Sequence, residues 1–198
     1  MQQPADRFET YPGEVYPADV AAVIGAVALH ATVTGQPARN LSTFLDSYRR
    51  AFLHPSGWIR HVGAPGVPHE SARGATTAVA AWFLGLADPA FSHEIYEAYQ
   101  ANGSRSWLGF GGMREHLPGT VHPVQDMDSG PVVLEMGVAA TGFSLAGARQ
   151  HGDAAGYRAR LRTARLVGVW TDGASARFTV GGPLGDALLL AALTTEPL

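Results

Sequence analysis

Val20-Ala21-Ala22-Val23-Ile24-Gly25-Ala26-Val27-Ala28-Leu29 is an unbroken apolar run. It follows Tyr16-Pro17-Ala18-Asp19, with proline suited to a first helical position, and it stops at Gly35. The run reads as a helix over about 17–34. A helix apolar on every side belongs inside a fold rather than on its surface.

Segments of the same kind recur. Ala78-Val79-Ala80-Ala81-Trp82-Phe83 lies in a helix expected from Ala72 to about Leu86, capped by Ser71. Another helix is expected to start near Gly130-Pro131 and end before Gly152. Ala187-Leu188-Leu189-Leu190-Ala191-Ala192 follows Gly182-Pro183. Between them fall amphipathic helices: Pro37 to about Phe52, Pro89 to about Ala101 behind Asp88, and a stretch after Asp153 to about Val169 carrying Arg158, Arg160, Arg162 and Arg165. The apolar helices start at intervals of roughly 52–59 residues, a period that points to stacked helical pairs. An inner layer of apolar helices and an outer layer of amphipathic ones make an all-α fold, an α/α toroid-like array of helical hairpins. The number of pairs suits a partial toroid. Residues 1–15 read as an N-terminal extension and 16–198 as a single helical domain. Phe178-Thr179-Val180 is the one short strand expected.

Composition excludes several classes. The net charge is −3, from 14 basic and 17 acidic residues, so there is no basic excess of the kind a nucleic-acid partner requires. Charged residues make up 16% of the chain, against roughly 25% in an average domain. Without cysteine there is no disulfide, thiolate metal site or cysteine nucleophile. The start, Met1 to Gly13, lacks the apolar core of a signal peptide. The longest apolar stretch, Val20 to Ala31, falls short of the roughly 18–20 residues of a membrane span. A cytoplasmic protein is expected. So is a homodimer, because a half-toroid leaves inner-helix surface exposed at its edges.

Three long loops carry the polar residues that chemistry needs: Leu53 to Ser71, Asn102 to Ser129 and Trp170 to Pro183. The expected pocket lies where the loops before residues 72, 131 and 183 meet. Candidate substrate-binding residues are Trp58, His69, Arg73, Trp107, Phe110, Arg114, Glu115, His116 and His122. Glu135, expected on an apolar helix, is a buried carboxylate that needs a partner, with Arg73 and Arg114 as candidates. It reads equally as a second acid/base or as an interhelix ion pair. The histidines lack the i, i+4 spacing of a helical metal pair, and no metal is expected. Gly109-Phe110-Gly111-Gly112 lacks the pattern of a nucleotide loop, no Gly-x-Ser-x-Gly elbow is present, and no cofactor is implied.

Asp126-Met127-Asp128-Ser129-Gly130-Pro131-Val132-Val133-Leu134 resembles the Asp-x-Asp-Asp motif region of the class II terpenoid cyclases, with Ser129 where the third acid of that motif stands. The resemblance implies an α/α toroid. It also implies that Asp128 is a general acid tuned by Asp126 and that the substrate is small and largely apolar, with an isoprenoid as one candidate. The function expected is a lyase, isomerase or cyclase. Burial and a neighbouring carboxylate raise a carboxyl pKa, whereas a helix N-terminus lowers it. Alternatively, Asp128 or Ser129 is only a helix cap. The architecture is also similar to six-hairpin glycosidases, which use paired carboxylates; Asp128 with Glu115 or Glu135 would be such a pair. A helical binding or assembly module is the non-enzymatic alternative.

Overall fold

The computed structural model describes residues 3–66, 71–120, 130–170, 176–178 and 182–198. Among the described residues are seven α-helices: α1 (Pro17–Thr34), α2 (Leu41–Phe52), α3 (Gly74–Leu84), α4 (Pro89–Gly103), α5 (Val138–Gln150), α6 (Ala154–Val167) and α7 (Gly182–Thr194). Six short strands pair antiparallel in twos. They are β1 (Ser104–Trp107) with β2 (Phe110–Met113), β3 (Val132–Val133) with β4 (Met136–Gly137), and β5 (Gly168–Trp170) with β6 (Ala176–Phe178).

The helix boundaries follow local chemistry. α1 opens on Pro17 and closes at Gly35, whose φ of 69° is left-handed. The Asp88 carboxylate accepts from the Phe91 amide at 3.0 Å and caps α4. Asp153 accepts from the Gly156 amide at 2.8 Å and caps α6. α2 buries Phe44, Ser47, Tyr48 and Phe52 along one face. The apolar helices form a row: α1 packs on α3, α3 on α5 and α5 on α7. The even-numbered ones lie against their predecessors. Gly25 of α1 makes the first contact close, since a Cβ there would lie 2.6 Å from the Phe83 carbonyl oxygen.

The all-α toroid is corrected: the described residues are mostly helical but also form small antiparallel sheets, and they show no toroid. The largest local departure is at residues 131–137. They were expected to be helical, but they form the β3–β4 hairpin, and α5 starts only at Val138. Two β-branched residues, Val132 and Val133, favour strand here, and Gly137 then leads into the helix. α1 is 18 residues long and, by length and composition alone, enough to cross a bilayer, a test that the core helix of a fold passes as well. Its Val20, Ala21, Ile24 and Ala28 are buried in this fold.

The main core gathers Val20, Ile24, Tyr48, Phe52, Ile59, Leu84 and Ile95. Ala5 and Val15 lie in the same core, and the Ala5 amide donates to Ser47 Oγ at 2.9 Å. The segment before α1 is thus part of the packed body.

Candidate functional site

The loops that precede α3 and α5 lie side by side through single backbone pairings. Leu53 pairs with Ile59, Arg60 with Ala72, Arg73 with His116 and Arg114 with Met136. The Gly74 amide, first of α3, donates to the Glu115 carbonyl at 2.8 Å, and the Glu115 amide donates to the Glu135 carbonyl at 3.2 Å. This ribbon brings Arg73, Arg114, Glu115, His116 and Glu135 together.

Within it, the buried Arg73 Nε lies 3.2 Å from the buried Glu115 Oε1. Arg114 pairs with Glu135 at 2.6 Å. Tyr99 donates its hydroxyl to the Arg114 carbonyl at 3.0 Å. Burial, and secondarily the Glu115 charge, push the Tyr99 phenol well above its ordinary range, so it remains a donor.

Other expected site residues lie elsewhere. Trp58 is wholly buried, edge-on to Tyr99 at 4.7 Å, in a core with Ala72, Ala78 and Met113, so it is packing and no sugar or substrate platform. Trp107 and Phe110 sit at the ends of the β1–β2 hairpin, exposed. Glu135 is not on a buried helix; it occupies the β3–β4 turn with its side chain largely in solvent. His69, His122, Asp126 and Asp128 lie outside the described residues.

A cavity of about 580 Å³ opens on the row of apolar helices. Its walls are Ala18 and Ala22 of α1, Ala75 and Val79 of α3, Phe143 of α5 and Leu188 of α7. The small side chains explain the space, because alanines on facing helices cannot fill the gap that larger residues would close. Trp82 and Phe83, stacked at 5.0 Å, supply an aromatic surface. One side is polar. There Tyr11, Glu14 and Tyr16 come from the segment before α1, Asp19 from α1, and His61 from the ribbon. His61 Nδ1 is 3.1 Å from the Thr76 hydroxyl, and its ring stands edge-on to Tyr16 at 6.1 Å. Two neighbours thus orient the imidazole at the polar side.

These polar residues escaped the sequence reading for a physical reason. Tyr11, Glu14 and Tyr16 belong to a segment set aside as an extension or helix entry. The visible clue is Pro12-Gly13 between Tyr11 and Glu14, which are paired across a turn with Gly13 at a φ of 79°. A turn of that type returns the chain onto its own domain.

A second histidine cluster joins α4 to the end of α5. Ser92 donates its hydroxyl to the Ala81 carbonyl at 2.6 Å and therefore accepts from His151 Nε2 at 2.9 Å. Tyr96 stacks on the His151 ring at 4.7 Å and donates to Asp153 at 2.8 Å, beside the buried Arg160. Burial first, then the charge of His93, lowers the His151 pKa to about 4. Ser92 is fully buried, so this Ser–His contact is an anchor and not a nucleophile pair.

No protein-family model matches the chain, and no curated protein matches it.

Proposed function

We propose that the protein is an acid–base enzyme of the lyase or isomerase type, acting on a small, largely apolar substrate. The observation that supports this reading is the cavity between the apolar helices. Its volume of about 580 Å³ lies within the ordinary range of small-molecule sites, roughly 300–1,000 Å³. Alanine, valine, leucine and aromatic side chains would hold an apolar body, and the polar groups on one side would orient its functional end.

His61 is the proposed proton-transfer group within the cavity. Asp128, with Asp126 tuning it, is the proposed general acid that the resemblance to the class II terpenoid cyclases nominates. The polar side also suits an alcohol or carbonyl, because a tyrosine hydroxyl, a threonine hydroxyl and an imidazole all exchange hydrogen bonds with either.

The test uses geraniol as a ten-carbon apolar alcohol and cellobiose as a sugar. Geraniol should raise the melting temperature and change the tryptophan fluorescence, a change that Trp82→Phe should diminish. Its conversion to an isomeric alcohol, or to a triene with loss of water, should fall about 10²–10⁴-fold in His61→Ala or Asp128→Asn, whichever carries the proton. A shift with cellobiose alone would move the reading to a glycosidase. No response to either probe would leave a packing or assembly role.

A further inference from the structure

We propose that the β1–β2 hairpin and the outer face of α6 together form a docking surface for an anionic lipid bilayer. The hairpin ends in Trp107-Leu108-Gly109-Phe110. Trp107 is 76% exposed and Leu108 75% exposed, and Phe110 is exposed as well. Leu108 holds a φ of 48° and Gly109 one of 82°, the two-residue turn that normally takes asparagine and glycine. A large aliphatic side chain is therefore held in solvent, at a strained backbone position, beside a tryptophan. Neither residue gains burial within the fold.

The hairpin is fixed in that attitude by α6. Arg162 Nη1 donates to the Gly109 carbonyl at 3.1 Å, and the Gly111 amide donates to Thr163 Oγ1 at 3.1 Å. Leu166, one turn further along α6, is 69% exposed. Around these apolar groups lie the exposed Arg105, Arg158 and Arg162. Among the described residues these three form no ion pair. The segments Ser104–Trp107, Phe110–Met113 and Ala154–Val167 contain no aspartate or glutamate, although acids outnumber bases in the whole chain, 17 to 14.

Charge and shape together select the occupant. Arginines attract an anionic surface, and tryptophan with leucine at a rigid tip suits the boundary between headgroups and acyl chains. A polynucleotide would use the arginines and stack on Trp107, but it offers nothing to Leu108 and Leu166. This surface is separate from the cavity and does not depend on what the cavity binds.

The test is co-sedimentation of the full chain with phosphatidylcholine vesicles and with vesicles in which about one-third of the lipid is phosphatidylserine. Binding is expected only to the anionic vesicles, and it should fade as salt is raised. Trp107→Ser/Leu108→Asn should abolish it. Arg158→Gln/Arg162→Gln should weaken it about 25-fold, at roughly fivefold per arginine. In the unmodified protein, phosphatidylcholine brominated on its acyl chains and mixed into the anionic vesicles should quench tryptophan fluorescence. That readout does not depend on how the variants fold. Equal binding to neutral vesicles, unchanged binding by either variant, or no binding to anionic vesicles overturns the proposal. So does tighter binding to duplex DNA that survives the Trp107→Ser/Leu108→Asn change.

Discussion

Arg73 meets Glu115 with side-chain exposures of 4% and 0%, whereas Arg114 meets Glu135 with exposures of 12% and 66%. Arg114 and Glu115 are consecutive residues of one extended segment, and consecutive side chains of such a segment point to opposite faces. One face of the ribbon therefore carries its charge into the body of the protein, and the other carries it to the rim. The two pairs join the same side-chain types, but they differ in energetic character. In the buried pair each ion has given up its water, so each depends on its protein surroundings. In the rim pair the carboxylate keeps most of its water, and the attraction is worth little.

The largest expected effect comes from breaking the buried pair. Glu115→Ala takes the carboxylate from beside a buried guanidinium and should cost about 3–5 kcal/mol. For a domain of this size that is a melting temperature lower by about 6–20 °C. Replacing both partners with apolar residues, as in Arg73→Met/Glu115→Leu, should recover part of the loss, since neither charge is then buried. Denaturant unfolding of the three proteins decides the matter. A loss below about 1 kcal/mol for Glu115→Ala would mean that the pair behaves like its exposed neighbour.

The same contrast explains what was legible in the sequence. Helix existence was legible wherever proline, glycine and a capping acid mark the ends, as at Pro17 and Gly35 or at Asp88-Pro89. The alternation of apolar and amphipathic helices was read as the two layers of a toroid; the apolar helices do pack on one another, but in a row and without a toroid. The hairpins were not legible. Trp107-Leu108-Gly109-Phe110 contains a turn signal in Gly109, but Leu108 at a positive φ runs against propensity. Leu134 and Glu135 also hold positive φ values, 50° and 69°, in a turn without glycine or asparagine. Tertiary pairing with Arg114 and Glu115 fixes that turn, and pairing between distant segments leaves no local trace. The Arg114–Glu135 contact was foreseeable as charge matching, but its place at a hairpin turn was not. The cavity was legible only as an abundance of alanine, which signals close packing and empty space equally well.

His151 supplies an intermediate case, a half-buried group that the fold prefers neutral. Its pKa falls from 6.5 to about 4 on folding, so the unfolded chain takes up the proton more readily. The stability it contributes is complete above pH 6.5 and is lost as the pH falls from 6.5 toward about 4. Allowing for screening of a partly exposed ring, the loss should be about 1–2 kcal/mol. Denaturant unfolding at about pH 7 and about pH 4.5 should therefore show a larger drop for the native chain than for His151→Gln. Equal drops would place the acid sensitivity in the carboxylates and not in the Ser92–His151 contact.

The smallest effect belongs to the rim. Glu135→Asn removes the carboxylate that Arg114 meets, at a cost of about 0.2–1 kcal/mol for a pair whose carboxylate is largely in solvent. It also places at a φ of 69° a residue that tolerates the left-handed region. A non-glycine residue there costs roughly 1–2 kcal/mol, and asparagine relieves part of that through local hydrogen bonding of its short polar side chain. The two changes oppose each other, so the net change in unfolding free energy should stay within about 0.5 kcal/mol of zero. Glu135→Ala keeps the backbone strain and loses the pair, so it should be the less stable of the two variants. If instead both substitutions destabilise by more than about 2 kcal/mol, the rim carboxylate is as dependent on its partner as Glu115 is. The ribbon would then have two buried faces in energetic terms, whatever its exposure.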